Sequence, residues 1–151
     1  VEQQHDSLAF ARCRATLNYL VGLGLEPRRM RLTSAGKYKE ALELNPSYAD
    51  AHQRYSLFLM CAGRTEESLT EIRRALELDP TSGTFNTSLG IRLYFARRYG
   101  EAREQLQKTL DLEPQRSDTL FNLGKVDAQT GLYREAIAAL RKAAAGSTTR
   151  R

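Results

Sequence analysis

The residues that build most catalytic and metal sites are scarce in this sequence. It holds two cysteines and two histidines in 151 residues. Cys13 and Cys61 stand far apart, form no CxxC pair and make no disulfide framework, so reduced thiols are expected. His5 and His52 have no zinc-ligand spacing around them. Neither a phosphate-binding GxxxxGK nor a GxSxG nucleophile turn is present. Long apolar runs are missing too. The longest, Tyr19 to Leu25 and Tyr55 to Ala62, fall far short of the roughly 20 residues that span a bilayer. No charged-then-apolar leader opens the chain. Strong charge of one sign is also absent. The net charge is +5, with small basic clusters at Arg28-Arg29-Arg31 and Arg97-Arg98. Scattered basic residues of this kind make a solvated helix face, and by themselves do not indicate a nucleic-acid surface. These absences lead to the expectation of a cytoplasmic protein that is not an enzyme and takes no cofactor and no metal.

What is abundant is internal repetition. Ala41-Leu-Glu-Leu-Asn-Pro46, Ala75-Leu-Glu-Leu-Asp-Pro80 and Thr109-Leu-Asp-Leu-Glu-Pro114 each end in proline, 34 residues apart. The same interval links Tyr55-Ser56, Leu89-Gly90 and Leu123-Gly124; Ser68, Ala102 and Ala136; and Ile72, Leu106 and Leu140. Each position has a physical reason. Gly90 and Gly124 lack a side chain and Ser56 has a small one, so one helix can approach its partner closely. Ala102 and Ala136 are the small residues on that partner, and the large aliphatic positions fill the space between. Each proline stops one helix and suits the first turn of the next. Gly63 and Gly131 fall between the paired helices, where a left-handed residue is expected. The spacing predicts first helices near 48–61, 82–96 and 116–130, and second helices near 65–78, 99–112 and 133–145.

This pattern resembles the tetratricopeptide repeat family, whose helix–turn–helix period is 34 residues. The resemblance covers residues 46 to 145. The block from His52 to Pro114 is similar to repeats attached to bacterial regulators, such as winged-helix transcription regulators and protein kinases. It implies an all-α fold, a right-handed α-solenoid. Residues 46–145 then form three repeats and residues 14–45 a degenerate fourth. In that fourth repeat Val21-Gly22, Ser34, Tyr38 and Ala41 keep the register, Pro27 truncates the first helix, and Arg28-Arg29-Met30-Arg31 forms a long connector. A competing reading makes residues 8–31 a helix followed by a turn and a strand. Residues 1–13 read as an N-terminal lead-in and 146–151 as a disordered tail. The last helix ends in Ala143-Ala144-Ala145-Gly146 with no polar capping helix after it. Self-association through the repeat ends, or continuation in a longer parent chain, is therefore expected.

Candidate binding residues come from a second apolar stripe. Phe85, Leu89 and Leu93, spaced by four, pack on the helix partner. Thr84, Thr87, Ile91, Tyr94 and Phe95 form another stripe on the same helix, and such a helix either buries both stripes or binds something with one. The resemblance implies that first helices line a concave groove. Gln53, Leu57, Met60 and Cys61 precede the central stripe, and Phe121, Lys125, Ala128 and Gln129 follow it. The groove set is thus Gln53, Leu57, Met60, Thr87, Ile91, Tyr94, Phe95, Phe121, Lys125 and Gln129. Aromatic residues and methionine favour recognition surfaces. A protein or peptide ligand with apolar anchors and some acidic residues, oriented by Lys125, is the expected partner.

Some family members grip a terminal carboxylate with Lys, Asn and Arg at fixed groove positions. Here Gln53, Leu57, Ser88 and Asp118 stand at such positions, so that clamp is absent. A basic helical-repeat protein binding nucleic acid is the alternative function, which steep salt dependence would reveal. His52 reads as a packing residue and Cys61 as a small buried one. Glu66-Glu67 suits the positive end of a helix dipole. Asn86-Thr87-Ser88 matches a glycosylation sequon but falls inside a helix. Asp127 breaks the pattern, because it takes the place of Leu59 and Leu93, and hydration at an open solenoid end is the expected explanation.

Overall fold

The computed structural model describes residues 27–148. Among them are seven α-helices and no strand. They are α1 (Pro27–Leu44), α2 (Ala49–Cys61), α3 (Thr65–Leu78), α4 (Gly83–Phe95), α5 (Tyr99–Leu112), α6 (Ser117–Gln129) and α7 (Tyr133–Thr148). The helices pair as α2 with α3, α4 with α5 and α6 with α7, and each pair packs on the next to form an α-solenoid. Helices α2 to α6 start and end within a residue of the ranges that the spacing predicts.

Within each pair the turn is built alike. Gly63, Arg97 and Gly131 all have positive φ, at 76°, 61° and 82°. The amide after each closes on a carbonyl one turn back: Arg64 on Leu59, Arg98 on Leu93 and Leu132 on Asp127, all at 2.9 Å. This is the Schellman closure, which satisfies carbonyls that the helix end would leave orphaned. Arg97 takes the left-handed conformation without the glycine that normally permits it.

The two helices of each pair meet along a seam of small and large residues. A Cβ added at Gly90 would lie 2.6 Å from both Cγ and Cδ2 of Leu106. One added at Gly124 would lie 2.7 Å from Cγ of Leu140 and 3.1 Å from the Ala136 carbonyl. In the first repeat Ser56 and Ile72 occupy the matching positions, and both are buried. The core runs continuously through the array, from Leu69, Ile72 and Ala75 through Leu89, Ala102 and Leu106 to Leu123, Val126 and Ala143.

Two segments differ from expectation. Arg28-Arg29-Met30-Arg31 is neither a connector nor a strand; these residues belong to the continuous helix α1. Pro27 is the first helical residue, where its missing N–H is no loss and its fixed φ suits the helix. The arginines and methionine that follow are good helix formers. The proposed lead-in and the first helix of the degenerate repeat lie outside the described residues. At the other end α7 runs on to Thr148 where a disordered tail is expected. Gly146 explains the extension: a Cβ there would meet the Ser117 hydroxyl at 2.5 Å, so its bare backbone lets the last turn of α7 settle against the start of α6.

Candidate functional site

The first helices α2, α4 and α6 lie side by side and touch one another along the array. Their shared face carries an aromatic cluster with a cation at its centre. Nζ of Lys125 on α6 sits 4.8 Å from the ring centroid of Tyr94, 5.7 Å from Phe95 and 5.8 Å from Phe121. The rings support one another. Tyr94 meets Phe95 edge-on at 5.4 Å and tilts against Tyr99 at 5.6 Å. Aromatic pairs prefer these arrangements because ring edges are positive and ring faces negative, and the same faces attract an ammonium. Phe121 remains 51% exposed and Leu57 on α2 44% exposed, whereas Ile91, Tyr94, Phe95, Met60 and Lys125 are half-buried. The result is an apolar strip, open to solvent, that runs from Leu57 to Phe121 across three helices.

The geometry repeats as regularly as the sequence, and comparison with known proteins agrees. A family model described as Tetratricopeptide repeat matches residues 33–83 and 87–149, most of the chain. The chain belongs to the tetratricopeptide repeat family. No curated protein matches the sequence significantly. Among solved structures, the chain is similar to Pseudomonas aeruginosa PilF, with 28% identity and a TM-score of 0.71 over 91% of this chain and 62% of that one. It is also similar in fold to MamA, with 23% identity and a TM-score of 0.63 over 72% of this chain and 64% of that one. A double mutant of MamA from RS-1 shares 16% identity with a TM-score of 0.69 over 98% of this chain. This chain therefore spans less than two-thirds of the length of the PilF structure and of the first of these MamA structures. Tetratricopeptide repeats build protein-interaction scaffolds, and this chain shares that architecture.

The structure brings together only part of the groove set expected of a tetratricopeptide array. Tyr94, Phe95, Phe121 and Lys125 converge; Leu57, Met60 and Ile91 extend the strip; Gln129 is exposed beyond it. Thr87 does not face the groove. It is 2% exposed, and its hydroxyl is shared between the Gly83 carbonyl at 2.7 Å and the Thr119 hydroxyl at 2.6 Å. Neighbouring first helices close over that position because both residues there are small. Gln53 is tied across the same joint, donating from Nε2 to the Ser88 hydroxyl at 3.3 Å. Lys125 is not a free-standing cation either, since the three rings and Asn122 Oδ1 at 3.5 Å fix its head.

Two polar residues behind this face were misread or missed, and a third is tied more closely than packing alone requires. Asp127 is not hydrated at an open end. It is 2% exposed and accepts a hydrogen bond from Arg103 Nε at 2.7 Å, joining α6 to α5 of the preceding repeat. Arg92 is buried between repeats, with Nε and Nη2 both 3.3 Å from the Ser56 hydroxyl. His52 is buried as expected of a packing residue, and both its nitrogens are committed. Nε2 donates to the Pro46 carbonyl at 2.9 Å, and Nδ1 faces Glu71 Oε2 at 2.6 Å. The ring thus binds the turn before α2 to the flank of α3, with no nitrogen left to move a proton for a substrate. Among the described residues no helix is long and apolar enough to cross a membrane.

Proposed function

We propose that this chain is an adaptor that holds a peptide or helix of a partner protein along the face of α2, α4 and α6. The observation that carries this reading is the half-exposed cluster of Tyr94, Phe95 and Phe121 around Lys125. Aromatic side chains at the centre of a surface strip are the residues that dominate binding energy at interfaces. Leu57 and Ile91 offer further apolar area to a ligand's anchors. The Lys125 ammonium, stacked on the rings, presents positive charge in the middle of that apolar strip, so a ligand carboxylate beside an apolar anchor complements it.

Phe121 is the cleanest probe, because half its surface is open, whereas Tyr94 also packs on Tyr99 and the core. Partners would be captured from the source organism with the wild-type chain and with Phe121→Ala and Phe95→Ala variants, and the captured partner then titrated. Each substitution should weaken binding by about 1–4 kcal/mol, the range for interface hot spots. Lys125→Met should weaken an acidic ligand, and Lys125→Arg should restore most of the loss. Undiminished affinity in both phenylalanine variants, with melting curves unchanged, would remove this face as the binding site.

A further inference from the structure

The repeat register sets a distance that a ligand on the first-helix face has to match. Leu57, Ile91 and Lys125 are 34 residues apart, so one position of α2, α4 and α6 reads apolar, apolar, cationic. Leu57 is exposed and the other two are half-buried, and the three helices touch in series. Packed helix axes stand about 8–10 Å apart. A ligand that crosses these helices and meets each in the same way must return a side chain to one face at about that interval.

Backbone form decides whether it can. A β-strand returns to the same face at about 6.6 Å and next at about 13 Å, so it misses the step. An α-helix returns after seven residues, about 10.5 Å, and a polyproline II chain after three, about 9.3 Å. Width separates these two. On α4 the open residues are Ile91, Tyr94 and Phe95, which span about 6 Å of helix axis. One turn below, Thr87 is 2% and Ser88 7% exposed. The Thr87–Thr119 hydroxyl contact at 2.6 Å and Gln53 Nε2 on Ser88 at 3.3 Å shut that level in. A helix with its side chains is about 10–12 Å across and overhangs the strip, whereas an extended chain does not. The first helices satisfy their own backbone groups, so they offer a ligand's amides no strand edge to pair with. A polyproline II chain keeps its backbone solvated, and proline has no N–H to leave unpaired.

We infer that the ligand of this face is a proline-rich segment in polyproline II form, with apolar residues at i and i+3 and a carboxylate at i+6, in either chain direction. The two apolar side chains seat on Leu57 and Ile91. The carboxylate meets the Lys125 ammonium, and the chain beside it lies on the rings of Phe95 and Phe121. Aromatic-lined grooves suit this form because it is preset and loses little entropy on docking. The inference rests on the adaptor reading and narrows its ligand from a peptide or helix to one backbone form.

The test is fluorescence anisotropy of the whole chain with labelled synthetic peptides. Two register peptides are polyproline with leucine, leucine and glutamate at every third position, in the two possible orders. One control has the same composition with those three residues adjacent. A second is an alanine-based helix with leucine at i and i+7 and glutamate at i+14. One register peptide should bind saturably, at least tenfold tighter than both controls. Replacing its glutamate by lysine should weaken it at least fivefold, and Lys125→Met should remove that difference. Phe121→Ala should weaken it at least fivefold, and circular dichroism checks that each variant keeps its helices. No saturable binding, equal affinity for the adjacent control, or a charge preference that survives Lys125→Met overturns the inference. Tighter binding of the helix, lost in Phe121→Ala, also overturns it but leaves the adaptor reading in place. Register-peptide binding indifferent to Phe121→Ala puts the peptide elsewhere and overturns the inference, and the partner titration above then judges the adaptor reading separately.

Discussion

Replacing Gly90 by alanine adds a single methyl group and tests the whole repeat register. The new Cβ would lie 2.6 Å from Cγ and Cδ2 of Leu106. Ordinary carbon contacts begin near 3.5 Å, so the partner helix must retreat by about 1 Å or Leu106 must leave its rotamer. Leu106 is 0% exposed, with packed neighbours on every side, so neither adjustment is free. Overpacking of this kind costs about 1–3 kcal/mol. Alanine in a helix recovers about 0.5–1 kcal/mol relative to glycine. The expected net loss is therefore about 0–2.5 kcal/mol, centred on about 1 kcal/mol, read from denaturant unfolding followed by circular dichroism. Gly100→Ala is the control: it lies in α5, and nothing stands within 4 Å of its added Cβ. That variant should gain about 0.5–1 kcal/mol from helix propensity alone. Leu106→Ala by itself should cost about 2–5 kcal/mol. Combined with Gly90→Ala it should cost less than the sum, with a coupling of about 0.5–3 kcal/mol, because the clash and the cavity are the same space. A Gly90→Ala variant as stable as Gly100→Ala, or a strictly additive double variant, would show that the seam is not what sets the helix spacing.

Three further outcomes follow from the structure. Arg103→Met should destabilise by about 2–4 kcal/mol, toward the lower side of the range for breaking a buried pair because Arg103 is 42% exposed, and Arg103→Met/Asp127→Leu should recover most of that loss in thermal denaturation. Arg97→Gly should raise stability by up to about 1 kcal/mol, while Gly131→Ala lowers it by about 1–2 kcal/mol, since both positions require the left-handed backbone; unfolding curves with the same sign for both would contradict this. The hydrogen bonds from Arg64 to Glu67 and from Arg98 to Glu101 hold both carboxyls below their ordinary value of 4.5. Their small stabilising effect is accordingly complete above that value and lost as pH falls through the depressed one, and Arg64→Gln should return Glu67 to the ordinary range in an NMR titration.

The helix pairs and their seams were legible because the 34-residue interval aligns residues whose sizes are complementary: Gly90 with Leu106, Gly124 with Leu140, Ser56 with Ile72. The left-handed turn was legible at Gly63 and Gly131, while Arg97 hid the same turn behind a side chain that normally avoids it. Pro27 misled, because a proline that ends one helix is chemically identical to one that begins another. Thr87 looked like groove surface, since helical periodicity within one helix cannot show that Thr119 of the next repeat closes over it. The Arg103–Asp127 pair did leave a trace. Each residue stands where the other repeats hold leucine or isoleucine, and two opposite charges placed in apolar register positions on neighbouring helices are a signature of pairing. Tyr94, Phe95, Phe121 and Lys125 were legible as one face, but their convergence around the Lys125 ammonium was not. It depends on the offset between adjacent first helices, which sets Tyr94 and Phe95 beside Phe121 and Lys125 and is fixed only by packing.

Several contacts that cross from one repeat to the next, alongside the continuous apolar core, are directional. Gln53 with Ser88 and Arg92 with Ser56 span the first joint. Thr87 with Thr119, Arg116 with Thr84 and Arg103 with Asp127 span the second. Apolar surfaces can slide over one another at little loss, but a hydrogen bond weakens steeply once its angle is lost. Such bonds act as pins against rotation, so the curvature of the array is held by bond geometry at each joint. Under the function proposed above, a ligand laid along the first helices would meet a preformed template, and the ordering entropy of association would fall chiefly on the ligand.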